Sequence, residues 1–255
     1  MKRGLSLLSL FFIVVHGCLF TKETFLVIHG ATGDPIYAVG DALDERVSPY
    51  STFKIALSLI GYDMGILKDP EIPTWEFQVG YEAYLPAWET AQNPLSWMRH
   101  SCVWYSKILA SQVGQEGLQK YLASFSYGNE DLSGGLVSPG PVDPAWIDSS
   151  LKISPKEQVT FLQKMIQGQF PVSQQALQMT KVLMFREELA NHWQLYGKTG
   201  GGSSSDGLEY GWFVGWIEKG ERRFPFAYLI RDQKIEFSQR APRVKQFLEE
   251  AEILN

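Results

Sequence analysis

The run S-T-F-K-I-A-L-S-L-I at residues 51–60, preceded by Pro49, decides the fold of this chain. Its apolar residues predict a buried helix with Ser51 in the first turn. Since positions i and i+3 of a helix share a face, Lys54 is expected beside the Ser51 hydroxyl. The backbone amides at a helix N-terminus carry positive partial charge and face the same point. This one stretch therefore predicts a nucleophile, a base and a donor to an oxyanion.

A second Ser-x-x-Lys string, at residues 149–152, has a different context. Such a string is expected roughly once by chance in a chain of this length. It runs into Ser154, Pro155 and Glu157, which predict a helix N-cap with a capping box. Lys152 would then precede a helix and point to solvent. Ser51 is therefore the better candidate nucleophile.

Three further strings follow the first one along the chain. They are Ser101-Cys102-Val103, Tyr127-Gly128-Asn129 and Lys198-Thr199-Gly200. Each string is weak evidence alone, but the four in this order indicate a serine enzyme that transfers acyl groups.

Composition and charge limit the class of protein. The chain has 255 residues, of which 45% are hydrophobic and 20% charged, which suits one globular enzyme. Its net charge is −5 and it has no run of Lys and Arg long enough to follow a phosphate backbone, which argues against nucleic acid as a partner. The spacing of His29, His100 and His192 does not match a metal site, so no metal is expected.

The N-terminus predicts export. Lys2-Arg3 and the apolar residues 5–15 have the charge and length of a signal peptide (1–18, with cleavage within about 17–20), and the run is short for a membrane span. We expect the periplasm of a Gram-negative bacterium, with no stable membrane span after signal removal. Cys18 also loosely resembles a lipoprotein processing site, so a lipid anchor stays open. If Cys18 leaves with the signal, Cys102 is the only remaining cysteine and no intramolecular disulfide can form.

The coarse pattern predicts an α+β fold with a central antiparallel sheet built from both chain ends, flanked by helices. Residues 24–29 and 36–39 read as a hairpin, and 52–186 as mainly helix and loop. Three strands are expected from Gln194 onward, followed by an amphipathic helix at 242–254. We expect one domain, 19–255, with a sheet lobe (22–50 and 190–255) and an inserted helical lobe (51–189).

The four strings resemble those of the class D, oxacillinase-type serine β-lactamases. Residues 145–154, A-W-I-D-S-S-L-K-I-S, are similar to the family's tryptophan loop, and residues 211–216, G-W-F-V-G-W, follow the K-T-G strand as in the family. Class A enzymes instead carry S-D-N where this chain has Ser101-Cys102-Val103. The resemblance implies the fold of penicillin-recognising serine enzymes, hydrolysis of β-lactam antibiotics with resistance as its result, and a monomer or homodimer.

The resemblance also implies roles for the residues of the reaction. Ser51 would be the nucleophile, and its backbone N–H with that of Gly201 would form the oxyanion hole. Burial depresses the pKa of a lysine amine. In this family the lysine corresponding to Lys54 takes up carbon dioxide or bicarbonate as a carbamate (N6-carboxylysine), held by the tryptophan corresponding to Trp146. Ser101 would relay a proton to the leaving nitrogen.

The remaining candidates would bind or surround the substrate. The residues expected to bind its carboxylate are Lys198, Thr199, Gly200 and Arg240, with Arg231 and Arg243 as open alternatives to Arg240. The residues expected to form apolar walls are Phe53, Val103, Trp146 and Ile147. Tyr127 and Asn129 could touch substrate or form only a turn.

Two other functions share these strings. A β-lactam sensor domain is acylated and stays acylated, but such domains are tethered to multi-span membrane segments. A peptidase acting on cell-wall D-Ala-D-Ala peptides would use the same serine and lysine. The single short apolar run and the intact strings favour the hydrolase.

Overall fold

A computed structural model describes residues 22–136 and 143–255 of the chain. The predicted signal peptide, its cleavage region and Cys18 lie outside the described residues.

Strands from both chain ends form one antiparallel sheet. In the described residues they are β1 (Lys22–Ile28), β2 (Pro35–Val39), β3 (Phe185–Glu188), β4 (Gln194–Ser203), β5 (Glu209–Lys219) and β6 (Arg222–Asp232). The order across the sheet is β2-β1-β6-β5-β4-β3, so the N-terminal hairpin joins the C-terminal strands where β1 pairs with β6. The predicted sheet is therefore confirmed, including its origin from both ends.

Helices cover both faces of the sheet. They are α1 (Lys54–Asp63), α2 (Pro94–His100), α3 (Val103–Val113), α4 (Gln115–Phe125), α5 (Pro155–Ile166), α6 (Gln174–Met184) and α7 (Arg240–Glu250). Successive residues of a strand point to opposite faces. On β5, Trp212 and Val214 accordingly join the large core under α1 to α6, whereas Phe213 joins the smaller core under α7. The helical middle and the C-terminal helix are thus confirmed.

One strand was missed. β3, with sequence F-R-E-E, lies at the edge of the sheet inside the region predicted as helical lobe, and all four of its residues are exposed. A charged strand without a buried face lacks the alternating pattern that marks a strand. Lys152 precedes a helix with the predicted capping box of Ser154 and Glu157. The expectation that it points to solvent was wrong, because it is half-buried and its Nζ lies 3.2 Å from Ser48 Oγ.

Candidate active site

Ser51 and Lys54 occupy the start of the first helix, at the seam between the sheet and the helices. Ser51 lies in a 3₁₀ turn, Tyr50–Phe53, that runs directly into α1 at Lys54. Lys54 Nζ is 3.1 Å from Ser51 Oγ, within hydrogen-bond distance. The chain therefore brings the two residues together through local helical geometry alone.

The environment of Lys54 favours the neutral amine. The side chain is only 1% exposed, and within residues 22–136 and 143–255 it has no carboxylate within ion-pair distance. An ammonium ion without a partner is costly in such a place. Burial accordingly lowers the pKa of Lys54 to about 7. A large fraction of the amine is then unprotonated near neutral pH, and an unprotonated amine can act as a base or a nucleophile.

A second serine and lysine pair, from distant parts of the chain, faces the first. Ser101 links α2 to α3 in a left-handed conformation, with φ 61°. Lys198 on β4 is 1% exposed, and its Nζ lies 2.8 Å from Ser101 Oγ and 2.7 Å from Thr199 O. Burial and the nearby positive charges of Lys54 and Arg240 hold the pKa of Lys198 well below its usual value.

Two glycines let strand β4 pack closely against its neighbours, Gly200 against the turn that holds Ser51 and Gly201 against strand β5. A Cβ on Gly200 would stand 2.9 Å from Thr52 N, and one on Gly201 would stand 2.4 Å from Tyr210 O. Contacts this short are incompatible with any larger side chain, so glycine is required at both positions. The strand backbone thereby forms the edge of the cleft beside Ser51.

A cleft of about 700 Å³ opens above these groups. Its lining includes the candidates Ser51, Ser101, Val103, Ile147, Thr199, Gly200, Gly201 and Arg240. Lys54 and Lys198 are buried beneath it. The volume falls within the range of small-molecule sites.

Arg240 is the arginine that reaches the cleft. Its guanidinium donates to Gly200 O at 2.6 Å and to Phe237 O at 2.7 Å. The two alternatives are engaged elsewhere, since Arg231 pairs with Glu45 and Arg243 with Glu23. No carboxylate of the described segments pairs with Arg240, which leaves its charge available to a ligand in the cleft. Burial lowers its pKa to about 10, so it remains charged at neutral pH.

An aromatic group lies behind the serine turn. Phe53 is fully buried between the rings of Trp146 and Tyr127, with centroids 5.1 Å and 5.5 Å away. Trp146 is 1% exposed, and its carbonyl accepts a hydrogen bond of 2.9 Å from Tyr50 N. Of the four predicted apolar walls, Val103 and Ile147 line the cleft, while Phe53 and Trp146 form a layer behind it.

Tyr127 and Asn129 do not belong to the lining of the cleft as the structure describes it. Tyr127 is fully buried and packs edge-on against Phe161 and Phe53. Asn129 instead bonds the backbone of the tryptophan loop, which we define as residues 145–153, at Ser150 and Lys152. The string therefore lies outside the cleft lining and against the tryptophan loop.

Several lining residues were not among the predicted site residues, although Trp88 was expected either to pack in the core or to form a wall of the cleft. Tyr84, Leu85 and Trp88 form an apolar side of the cleft, and Asp143 adds a carboxylate. They come from irregular segments that carry no periodic pattern, so the sequence offers no signal for them. Tyr50 adopts a left-handed conformation, with φ 49°, immediately before Ser51, as residues at functional sites often do.

Two features are absent from the described residues, a metal-binding cluster and a membrane-spanning helix. No three His, Cys, Asp or Glu side chains in 22–136 and 143–255 come close enough to hold a metal ion. No helix in the same segments has the length and apolar character needed to cross a bilayer.

Known proteins share both this sequence and this fold. The family described as "Penicillin binding protein transpeptidase domain" matches residues 23–249. "Beta-lactamase OXA-9" of Klebsiella pneumoniae is 36% identical over 218 residues, which is 82% of this chain and 79% of that protein. The crystal structure of the class D β-lactamase OXA-427 is 36% identical and superposes with a TM-score of 0.81, covering 89% of this chain and 97% of that one. The chain belongs to the class D β-lactamase family.

A regulatory protein is also similar in sequence to this chain. "Regulatory protein BlaR1" of Bacillus licheniformis is 36% identical over 74% of the chain, and the match spans 30% of that regulator. The family resemblance inferred from the four strings is confirmed, and so is the penicillin-recognising fold.

Proposed function

We propose that this chain hydrolyses β-lactam antibiotics through an acyl-enzyme on Ser51. The observation that carries the proposal is the buried amine of Lys54, 3.1 Å from Ser51 Oγ at the base of the cleft. A serine hydroxyl is a weak nucleophile unless a base accepts its proton. Membership in the class D family supports the choice of β-lactams as substrate.

Acylation begins when Ser51 Oγ attacks the lactam carbonyl carbon. The Oγ–C bond forms, the carbonyl oxygen becomes an oxyanion, and the Ser51 proton leaves toward the Lys54 side chain. The backbone N–H groups of Ser51 and Gly201 are the donors to the oxyanion. Loss of one such donor typically costs about 2.7 to 4 kcal/mol of transition-state stabilisation.

The surroundings of Lys54 suit the uptake of carbon dioxide. Only an unprotonated amine reacts with carbon dioxide, and burial provides that form near neutral pH. Bound as a carbamate on Lys54, carbon dioxide supplies the general base for acylation and for deacylation. Lys54, Trp146 and Val103 are all buried, and we infer that Trp146 and Val103 form the apolar side of this position.

The second pair serves the leaving group and the carboxylate. Ser101 Oγ passes a proton to the lactam nitrogen as the C–N bond of the lactam breaks. Lys198, whose Nζ lies 2.8 Å from Ser101 Oγ, either returns a proton to that oxygen or orients the hydroxyl. Arg240 and Thr199 line the same end of the cleft and bind the substrate carboxylate. Water then attacks the ester carbonyl, and Ser51 Oγ leaves with a proton to regenerate the enzyme.

Export and organisation are part of the proposal. Residues 1–18 act as a signal peptide, and 19–255 form one domain that works in the periplasm as a monomer or homodimer. The apolar residues 5–15 and the basic pair before them support this assignment.

A sensor domain is the second candidate, favoured by the similarity to BlaR1. A sensor is acylated by the same chemistry but is not released by water, so the two functions differ in deacylation alone. A D-Ala-D-Ala peptidase that deacylates β-lactams slowly would behave in the same way toward these drugs.

The test mixes the protein with a chromogenic cephalosporin, with and without added bicarbonate. Sustained ring opening over many equivalents of enzyme, faster with bicarbonate, supports the hydrolase. A single burst of ring opening equal to the enzyme concentration, with no further turnover, supports a sensor or a cell-wall peptidase. A protein that opens no ring at all contradicts every version of the proposal.

A further inference from the structure

The Tyr127-Gly128-Asn129 string lies outside the cleft lining, yet Asn129 makes three hydrogen bonds to one segment. Its Nδ2 donates to Ser150 O at 2.8 Å, and its Oδ1 accepts from Lys152 N at 2.9 Å. Its backbone N donates to Lys152 O at 3.0 Å. Both backbone groups of Lys152 and one of Ser150 are thus bound by a single residue.

Gly128 makes this approach possible. Its φ is 58°, in the left-handed region, and a Cβ there would stand 2.0 Å from Lys152 O. The two backbones therefore touch, and residue 128 must be glycine for Asn129 to reach the tryptophan loop. The string is built for contact with that loop.

The tryptophan loop is joined at two other points to residues 47–50, the segment that leads into the 3₁₀ turn with Ser51. Tyr50 N donates to Trp146 O at 2.9 Å, and Val47 and Ile153 exchange two backbone hydrogen bonds of 3.1 Å and 2.9 Å. Trp146 also packs on Phe53, which precedes Lys54. Asn129 holds the loop from a third side. Its contacts bind the C-terminal half of the loop, at Ser150 and Lys152, between the Tyr50–Trp146 bond and the two Val47–Ile153 bonds.

We propose that Asn129 is a positioning residue that sets the affinity of Lys54 for carbon dioxide by holding the tryptophan loop against the serine turn. This inference rests on the proposed function of Lys54. When the two side-chain bonds of Asn129, to Ser150 O and from Lys152 N, are lost, the loop gains freedom. Trp146 then no longer holds Phe53, the residue before Lys54, in a single arrangement. Carbon dioxide is then held less tightly, while Ser51, Lys54 and Ser101 are unchanged.

The test measures carbamate formation directly, without substrate. The protein is titrated with ¹³C-labelled bicarbonate at fixed pH, and the carbamate signal is followed by NMR. Three forms are compared: the natural chain, Asn129→Ala and Asn129→Asp, which keeps the acceptor for Lys152 N but loses the donor to Ser150 O. Asn191→Ala is the matched control, because Asn191 also bonds a backbone carbonyl, that of Leu254, far from the cleft.

We expect Asn129→Ala to raise the half-saturating bicarbonate concentration about tenfold, as for the loss of a pair of hydrogen bonds. The half-saturating concentration of Asn129→Asp should lie between those of the natural chain and Asn129→Ala, and that of Asn191→Ala should match the natural chain. Turnover of the Asn129 variants should recover at high bicarbonate, which a general loss of structure would not allow. If Asn129→Ala does not fold, Asn129→Asp decides the outcome.

Two results would contradict the account at different levels. An unchanged half-saturating concentration in the folded Asn129 variants overturns the role of Asn129 alone. A natural chain that hydrolyses β-lactams but gives no carbamate signal overturns the proposed chemistry of Lys54, and the inference with it.

Discussion

The two buried pairs, Ser51 with Lys54 and Ser101 with Lys198, look alike but are assembled differently. In each pair the lysine is 1% exposed and its Nζ lies within hydrogen-bond distance of the serine Oγ, at 3.1 Å in the first pair and 2.8 Å in the second. The first pair comes from one helical turn. The second joins strand β4 to a loop 97 residues earlier in the chain. The first pair therefore needs only local structure, whereas the second needs the completed fold.

Their surroundings also differ. Lys54 is 1% exposed, and burial lowers its pKa to about 7. Lys198 is buried too, but it also bonds the Thr199 carbonyl and lies near the positive charges of Lys54, Arg186 and Arg240. A buried, largely neutral amine suits the proposed reaction with carbon dioxide, and a cationic site suits the proposed recognition of a carboxylate. The same residue types thus carry different chemistry.

The largest expected effect is on the first pair. Lys54→Ala removes the general base and should lower kcat/KM by about 100 to 10,000-fold, with loss of the response to bicarbonate. The matched control is Lys152→Ala, which alters the lysine of the second Ser-x-x-Lys string, half-buried beside Ser48. Steady-state kinetics with a penicillin compares them. Equal losses in the two variants would contradict the assignment of Lys54.

The next effect concerns the second pair. Ser101→Ala should lower kcat by about 100-fold, near the lower end for a proton-transfer group, because Lys198 remains to supply the proton. KM should change little, since Ser101 acts on the leaving nitrogen. Ser111→Ala serves as control, because Ser111 is an exposed serine of helix α3, the helix that follows Ser101. A change confined to KM would assign Ser101 to binding instead.

The helix with Ser51 and Lys54 and the order of the four strings could be predicted from sequence, because local spacing fixes which residues share a helical face. The sheet was also predictable, since its four long strands have buried, regularly patterned residues. Strand β3 was not, because its stability comes from pairing with β4 rather than from a buried face.

The parts of the site that were not predictable depend on tertiary packing. The sequence left Arg231 and Arg243 open as alternatives to Arg240. The three are separated by the position of Arg240 in the cleft lining and by the ion pairs of Arg231 and Arg243 with Glu45 and Glu23. The contact of Asn129 with a loop more than 20 residues later in the chain likewise leaves no local pattern.

A smaller effect should come from the carboxylate end of the cleft. Arg240→Ala removes a charged partner of the substrate and should raise KM by about 10 to 100-fold, with a lesser change in kcat. Arg243→Ala is the control, because Arg243 pairs with Glu23 outside the cleft. The comparison uses one penicillin and its methyl ester. If Arg240→Ala changes KM equally for the ester and the acid, Arg240 does not bind the carboxylate.

The smallest expected effect is the pH dependence of activity, which reports on Lys54 of the first pair. Because burial lowers the pKa of Lys54 to about 7, the amine is neutral above that pH and protonated below it. Activity at limiting bicarbonate should therefore fall as the pH falls through about 7, by up to about tenfold per unit. Saturating bicarbonate should shift this fall to lower pH. A profile that is flat from pH 8 to pH 6, or that is indifferent to bicarbonate, would argue against a neutral Lys54 amine.

Intact-protein mass spectrometry during turnover of a penicillin tests the central claim most directly. The account predicts a transient adduct of one substrate mass, located by digestion to the peptide with Ser51, that decays to unmodified protein while hydrolysed drug accumulates. Ser51→Ala should form no adduct. An adduct on Ser149, or one on Ser51 that persists after the free drug is removed, would contradict hydrolysis through the first pair.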